Sequence, residues 1–472
     1  LAGFPLVIVL AGCAPSHDIG HPPAQQTPAS HVSMDLPAAV KNGWPQSNWW
    51  QDYHDPQLNS LIQSALANAP DMQIAAQRIR LAEAQARMSQ ASLGPEMDFS
   101  ADVERQKMSA EGLTGPFATD SGGNTGPWYT NGTFGLTAGW DLDLWGKNRA
   151  LVKARIGELK AQVAEEAQTR ELLASSVARL YWQWQTEAAV KTVLQQVKSE
   201  QNNIVSVDQS LYQRGITNSA AGAENNINVS KTDQQLADAA GNMKEIEARL
   251  MALTNSQSQA LNLHPVNLPP VSAQMPTVLG YELLARRPDL QVAHWYIEAS
   301  LSEVDAAKAA FYPDINLMAF LQQDALHLSD LFRHSAQQMG LSAGLTLPVF
   351  DSGRLNANLD IASAQNNLSV AKYNKAVVDA VNQVAKSASQ VETLMEKNQR
   401  QQQVEKDAQR TVNLAEARRN AGILPGSRVS MARLPALQER ITALRLRGQW
   451  LDASIQLTSA LGGGYHQTTG SD

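Results

Sequence analysis

The sequence predicts an α+β membrane protein built as two internal repeats, each a pair of membrane-length strands followed by a long helical hairpin. Three observations carry this. The chain is written twice, long Pro-free stretches recur at matching places in both copies, and between helical regions the hydrophobic period switches to strict alternation. Pro70-Asp71 returns as Pro288-Asp289, 218 residues later, and Pro95 returns as Pro313 at the same offset. Past the strands the offset becomes 207, from Gly146 to Gly353 and from Gly215 to Gly422. One plan therefore serves both halves, with a short net insertion in the first.

From the beginning, residues 1–13 read as a signal-peptide remnant and lipobox. Leu1 to Gly12 is apolar, too short to span a bilayer and sized for the core of a signal peptide. The chain as given is read as starting within that signal. Leu10-Ala11-Gly12-Cys13 resembles the bacterial lipobox, which makes Cys13 a lipidated N-terminus. Cys13 is the single cysteine, so no intramolecular disulfide and no multi-thiolate metal site can form. Residues 14–56 are Pro-rich and read as a tether.

The first repeat is assigned to residues 57–275, with a hairpin at about 97–145 and long helices at about 147–254. Pro70 suits the first position of a helix and Asp71 its positive end, and Pro95 ends it. Met97, Phe99, Ala101 and Val103 then alternate with Asp98, Ser100, Asp102 and Glu104. Phe134, Leu136, Ala138, Trp140, Leu142 and Leu144 alternate likewise. Between Gly146 and Gly215 there is no proline, and Val190, Val197, Ile204 and Leu211 recur every seven residues, a coiled-coil seam. A return helix is expected from Ala220 to Leu253.

The second repeat is assigned to residues 276–464, with a hairpin at about 314–350 and helices at about 354–461, leaving 465–472 as a tail. Its strands carry Ile315, Leu317, Ala319 and Leu321, then Leu341, Ala343, Leu345, Leu347 and Val349. Its seam steps through Val377, Val381, Val384, Ala388, Val391 and Met395. From Asn398 to Gln409 the helix is polar on nearly every side, as a wall wetted on two faces or an extended coiled-coil rod would be. Leu424-Pro425-Gly426 and Pro435 are expected to loosen or kink this second hairpin. Gly462-Gly463-Gly464 reads as the stop of the last helix.

Strands of about 9 to 11 residues with one apolar face match a tilted membrane-spanning strand. Four of them cannot close a barrel, and an open sheet edge is not tolerated in lipid. Subunits must combine, two giving eight strands and three giving twelve. With 38 basic and 45 acidic residues, the net charge of -7 provides no field for nucleic-acid phosphates. No phosphate-binding glycine loop, nucleophile elbow or HExxH motif occurs, so the chain is not read as an enzyme. His17 and His21 lie in Pro-rich sequence unsuited to a helical metal site. Asp141 and Asp143 read as lumen-facing acids on one strand face.

Trp49-Trp50, Asp55-Pro56-Gln57-Leu58, Glu282-Leu283-Leu284-Ala285-Arg286-Arg287-Pro288-Asp289-Leu290, Ala310-Phe311-Tyr312-Pro313 and Leu347-Pro348-Val349-Phe350-Asp351-Ser352-Gly353-Arg354 together resemble the TolC family of outer-membrane factors. The likeness is strongest to its lipid-anchored drug-efflux branch, the enterobacterial multidrug-resistance lipoproteins. It runs from Cys13 to about Gly464.

The resemblance implies a homotrimer whose twelve-stranded transmembrane β-barrel, four strands per chain, continues into a periplasmic α-helical barrel. It implies localisation in the outer membrane through barrel and lipid, with extension into the periplasm. Function would be passive exit of drugs or other small molecules, with no cofactor beyond the lipid on Cys13. Gly215 and Gly422 would mark the tips where a periplasmic adaptor docks and connects an inner-membrane pump. A type I secretion duct and a periplasmic coiled-coil scaffold lipoprotein are the alternatives. One departure concerns the aperture. Relatives often place Asp nine residues after the second tip glycine, where this chain has Met431, with Arg428 nearby and Glu224 at the equivalent first position. Glu224 and Arg428 read either as ordinary surface charges or as an ion pair able to close the mouth.

Overall fold

The computed structural model describes residues 23–26, 40–107, 109, 128–216, 219–256, 261–271, 273–276 and 282–466. Cys13, most of the tether and the end of the tail lie outside the described residues. In chain order the elements are β1 (Val40–Asn42), a 3₁₀ turn (Trp49–Tyr53), α1 (Pro56–Asn68), α2 (Pro70–Ala91), β2 (Glu96–Lys107), β3 (Trp128–Asp141), α3 (Lys147–Gln213) and α4 (Ser219–Leu253). There follow β4 (Ala273–Met275), α5 (Glu282–Arg286), α6 (Pro288–Ala309), β5 (Asp314–Ala325), two further 3₁₀ turns, β6 (Gln337–Thr346), α7 (Arg354–Asn420) and α8 (Gly426–Ala460). Four corresponding pairs agree in length, α2 and α6 with 22 residues each, β2 and β5 with 12, α3 and α7 with 67, and α4 and α8 with 35, whereas β3 and β6 have 14 and 10.

Two compact units form, and each draws on both halves of the sequence. The first takes Arg80–Lys160 and Trp295–Ala371 and contains a four-stranded antiparallel sheet in the order β2-β3-β5-β6. Its strands stop short of the expected ends: β3 finishes at Asp141 and β6 at Thr346, so Leu142, Leu144, Leu347 and Val349 follow the strands. The cause is local. The Asp143 carboxylate accepts the N–H groups of Asn148 and Arg149 at 3.0 and 2.8 Å, and Asp351 accepts those of Gly353 and Leu355 at 3.0 and 2.9 Å. Each acid caps the long helix that follows, which draws the chain out of the ladder. Asp143 is therefore a helix cap, not a second acid on the strand face with Asp141.

The second unit takes Gln25–Ile79, Ala161–His294 and Lys372–Asp472. Its core lies halfway along the long helices, where Trp49, Trp50, Leu58 and Ile62 pack with Val177, Tyr181, Trp182, Leu250, Leu451 and Ile455. Asp55 joins cap to core. One oxygen accepts the N–H groups of Gln57 and Leu58 at 2.8 and 3.0 Å, opening α1, while the other accepts the Tyr181 hydroxyl at 2.7 Å. Burial and the Asp55 carboxylate push the Tyr181 hydroxyl far above its ordinary range, keeping it a donor.

Arg287 ties the end of α8 to the same unit. It donates to the Ala460 carbonyl at 2.6 Å, to Gln383 at 3.0 Å and to Asp289 at 2.7 Å. Gly462, Gly463 and Gly464 all have positive φ, and the Gly463 N–H returns to the Thr458 carbonyl at 2.9 Å. A side chain at Gly462 would run into the Arg286 backbone, so this run ends the helix by conformation and by closeness of approach.

The expected seams are present. Val190, Val193, Leu194 and Val197 pack with Ile441, and Val377, Val384 and Val391 are buried. Within the wet stretch the seam turns polar. Asn398 donates to the Leu446 carbonyl at 3.3 Å, and Gln401 donates to the Glu439 carboxylate at 2.8 Å. Helix α8 runs on through Pro435. The short parallel pair β1 and β4 was not foreseen.

Asp55→Ala should lower the thermal midpoint of the helical circular-dichroism signal more than Tyr181→Phe. The first leaves two amides and a buried hydroxyl unpaired, costing about 2–4 kcal/mol, while the second removes one bond worth about 1 kcal/mol. The double variant should fall no further than Asp55→Ala alone.

Candidate functional site: channel wall and hairpin tips

The sheet of the first unit has two unlike faces. Its register sets Phe99, Leu136, Leu321 and Met339 in one row across four strands, with Met97, Ala138, Ala319 and Leu341 in the next. This face is bare: Phe99 is 66% exposed and Leu341 80%. The opposite face carries Glu96, Asp98, Asp102 and Glu104 from β2, Thr133 and Asp141 from β3, and Asp324 from β5, with Thr133 donating to Asp324 at 3.0 Å. A sheet that exposes its apolar face and collects carboxylates on the other is inverted relative to a water-soluble domain and matches a membrane wall around a polar lumen.

The height of the wall follows from the register. Same-face rows sit about 6.8 Å apart along a strand, or about 5 Å along the membrane normal at a tilt near 40°. Five steps separate the Ile315–Leu345 row from the Val103–Gly132–Ala325 row, and the row between them at Ala101, Phe134, Gln323 and Gln337 is apolar on β2 and β3 and carries glutamine on β5 and β6, so at that tilt the face would stand about 25 Å tall. Aromatic groups edge it. Trp140 donates to the Leu93 carbonyl at 3.0 Å, Trp145 donates to the Pro313 carbonyl at 2.9 Å and stacks on Tyr312, and Trp128 lies at the other end. Within the chain β2 and β6 are the sheet's outer strands, each paired on one side. Among the described residues no helix is long and apolar enough to cross a membrane.

The tips of the two long hairpins share one geometry. Gly215 and Gly422 have φ of 70° and 73°. The N–H of Gly215 bonds to the Tyr212 carbonyl at 2.9 Å and that of Ile216 to Leu211 at 3.0 Å. Gly422 bonds to Arg419 and Ile423 to Arg418, both at 2.9 Å. This left-handed C-terminal cap needs glycine at its turning residue. It leaves Ile216 and Ile423 68% and 69% exposed, an isoleucine bare at each tip.

The aperture candidates are near the tips and exposed. Glu224 lies in the first turns of α4, and Arg428 begins α8, with Nη1 3.9 Å from the Met431 sulfur. Within one chain Arg428 thus meets Met431, not Glu224. The interaction that does join helices there was missed from sequence. Arg433 donates to Glu200 at 2.9 Å and to Glu416 at 2.6 Å, tying α8 to both α3 and α7. Burial alone pushes the Glu200 carboxyl up, but hydrogen bonds from Ser430 and Arg433 and the guanidinium charge outweigh it and hold the group below its ordinary value. The partners are 233 and 17 residues apart in sequence, so no local spacing announces the clamp.

Comparison with known proteins agrees with this geometry. The chain matches the family described as outer membrane efflux protein over residues 61–256 and 279–463. It is 69% identical over 467 residues to the multidrug resistance outer membrane protein MdtQ of Escherichia coli O157:H7, covering 98% of both chains. Among solved structures it is similar to the Campylobacter jejuni outer membrane channel CmeC, with a TM-score of 0.83 at 21% identity over 97% of this chain and 96% of that one. It is also similar to the outer membrane protein VceC of Vibrio cholerae, with a TM-score of 0.77 at 27% identity over 90% of this chain and all of that one.

Because the folded-state Glu200 carboxyl is held low, its contribution is present above the ordinary glutamate range and is lost as pH falls through the lowered value. Amide protection factors near the tips of α7 and α8, taken relative to the intrinsic exchange rate at each pH, should therefore fall once the pH drops below the ordinary glutamate range. Arg433→Ala should produce the lowered protection already at neutral pH, for a loss of about 1 kcal/mol shared between two part-exposed pairs. Unchanged exchange in that variant would remove the clamp from the tip's stability.

Proposed function

Because the chain belongs to the outer membrane efflux protein family and is an outer-membrane efflux channel, not an enzyme, we propose that three copies close a twelve-stranded barrel in the outer membrane and line a periplasmic α-helical conduit. The carrying observation is the four-stranded sheet, bare on its apolar face and unpaired at the outer sides of β2 and β6. Lipid does not tolerate those edges, so β2 of one copy pairs with β6 of the next until the ring closes. Three copies are favoured over two by the resemblance to trimeric outer-membrane factors. Matching lengths of successive elements support the reading of each chain as two structural repeats.

In this reading the duct is passive. Its selectivity for drugs or other small molecules is set by an inner-membrane pump, and the tips at Gly215 and Gly422 meet a periplasmic adaptor through the exposed Ile216 and Ile423. Cys13 carries the lipid that fixes the N-terminus to the outer membrane, and the relative's printed role in multidrug resistance supports drug export. Native mass spectrometry of the detergent-extracted protein should give three copies, each heavier than the polypeptide from Cys13 by its acyl groups. A stable monomer or dimer would sink the barrel, and an unmodified thiol would sink the anchor.

Across the trimer axis, Glu224 of one hairpin and Arg428 of a neighbouring one close the aperture, with Met431 beside them. Such an exposed pair is worth about 0–1 kcal/mol, weak enough for a docking adaptor to break. Arg428→Glu should raise the resting conductance in planar bilayers, and adding Glu224→Arg should restore closure. A double variant as leaky as the single one would rule this pair out as the gate.

A further inference from the structure

The apolar band ends in an unusual way at the rim remote from Pro95 and Gly146, the points where the strands join the helices. Beyond the Val103–Gly132 row, β2 and β3 continue for two more same-face rows, Arg105 opposite Thr130 and Lys107 opposite Trp128. By the pleat these two cations share the face of Met97, Phe99 and Val103, whereas the acids Asp102 and Glu104 fall on the other. The basic side chains therefore share the face that the barrel reading turns to lipid, immediately beyond the Val103–Gly132 row.

Arg105 lies over the Trp128 ring at 5.7 Å, and both residues are exposed, Trp128 at 61%. A guanidinium resting on an aromatic face keeps its N–H edge open for a planar or tetrahedral oxyanion. Among the described residues neither Arg105 nor Lys107 is in an ion pair, although Arg333 on the β5–β6 connection is paired with Asp330 at 3.1 Å. Two rows below Arg105, Phe134 packs against Phe332 at 5.6 Å, and Phe332 is 84% exposed. Bare aromatic surface thus lies near two cations that pair with no carboxylate among the described residues.

We propose that Arg105 and Lys107, with Trp128 beneath the guanidinium, bind the phosphate groups of lipid A, the phosphorylated glycolipid of the outer leaflet, while Phe332 and Val103 meet its acyl chains. The assignment rests on the barrel reading above, which places this rim at the outer leaflet because the helices lie on the periplasmic side. Charge complementarity selects the occupant: two adjacent cations on the lipid side of an interfacial rim match a headgroup bearing two phosphates.

The test uses the full-length detergent-purified assembly and three probes: lipid A, the same lipid enzymatically stripped of its phosphates, and phosphatidylglycerol. Lipid A should raise the temperature at which the assembly dissociates on semi-native gels, and the dephosphorylated form should raise it less. Arg105→Gln with Lys107→Gln should weaken the apparent affinity for lipid A on the order of thirtyfold, taking each basic residue's ordinary contribution at a membrane surface. Its binding of the dephosphorylated lipid should stay the same.

Equal shifts from the phosphorylated and stripped lipids in the unaltered protein would overturn the proposal, a result that needs no variant to fold. So would a double variant that keeps the full difference between them. Equal affinity for phosphatidylglycerol and lipid A would reduce the site to a generic anionic contact and overturn the lipid A assignment. Conductance of the unaltered protein in planar bilayers tests the barrel separately: a conducting trimer without phosphate preference defeats this proposal alone.

Discussion

An amide or carbonyl left without a partner in hydrocarbon costs several kcal/mol, and the sheet of this protein presents a whole row of them along β2 and another along β6. The apolar face that makes the sheet suitable for a membrane also makes its open edges untenable there. That conflict organises the rest. In the proposed trimer every hairpin adds two more strands to one ring, and within the chain the register separates Phe99, Leu136 and Leu321 from Asp98, Asp102 and Asp324. A slip of one residue would exchange those faces and put carboxylates into lipid.

The helices solve a different problem. A helix of 67 residues exposed on much of its circumference cannot rely on one broad apolar face, and the long helices here do not have one. Stability is instead concentrated. Halfway along α3 the tryptophans, Tyr181 and the leucines of α1 and α8 form a dense core, and burying side chains of that size contributes about 1.5–3 kcal/mol each. Farther along, a valine and isoleucine seam is interleaved with side-chain amides that reach backbone and carboxylate across it, and nearer the tips lies the Arg433 clamp. Interaction strength thus falls from the middle of the helices toward their glycine turns.

How much of this was legible in the sequence depended on whether the cause was local. Gly215 and Gly422 announced themselves because a left-handed cap excludes most other residues, and Pro70 and Pro288 because a ring without an N–H fits the first helical turn and little else. Strand parity was legible wherever both faces had to differ, but it overran at Leu142 to Leu144, since a pattern of side chains cannot reveal that Asp143 has turned to cap α3. Trp49, Trp50 and Asp55 could be matched to a family signature without disclosing their work. Only the fold brings Asp55 to Tyr181, 126 residues away. The Arg433 clamp was illegible for the same reason, and β1 and β4 because three-residue strands carry no period.

The gradient along the helices bears on how such a duct can open. A conduit that must stay intact while one end changes state needs its strong contacts far from the moving end and only weak, water-exposed ones near it. The middle core is apolar and insensitive to salt, whereas the tip contacts are ionic, part-exposed and individually worth no more than about 1 kcal/mol. A partner that bound the bare Ile216 and Ile423 would need to supply only the difference between a few such contacts to shift the population of tip conformations. The same contacts are too weak to transmit that change into the core around Trp182, where dense packing resists graded deformation. In the proposed duct, opening confined to the tips would follow from where this sequence puts its tryptophans and where it puts its arginines.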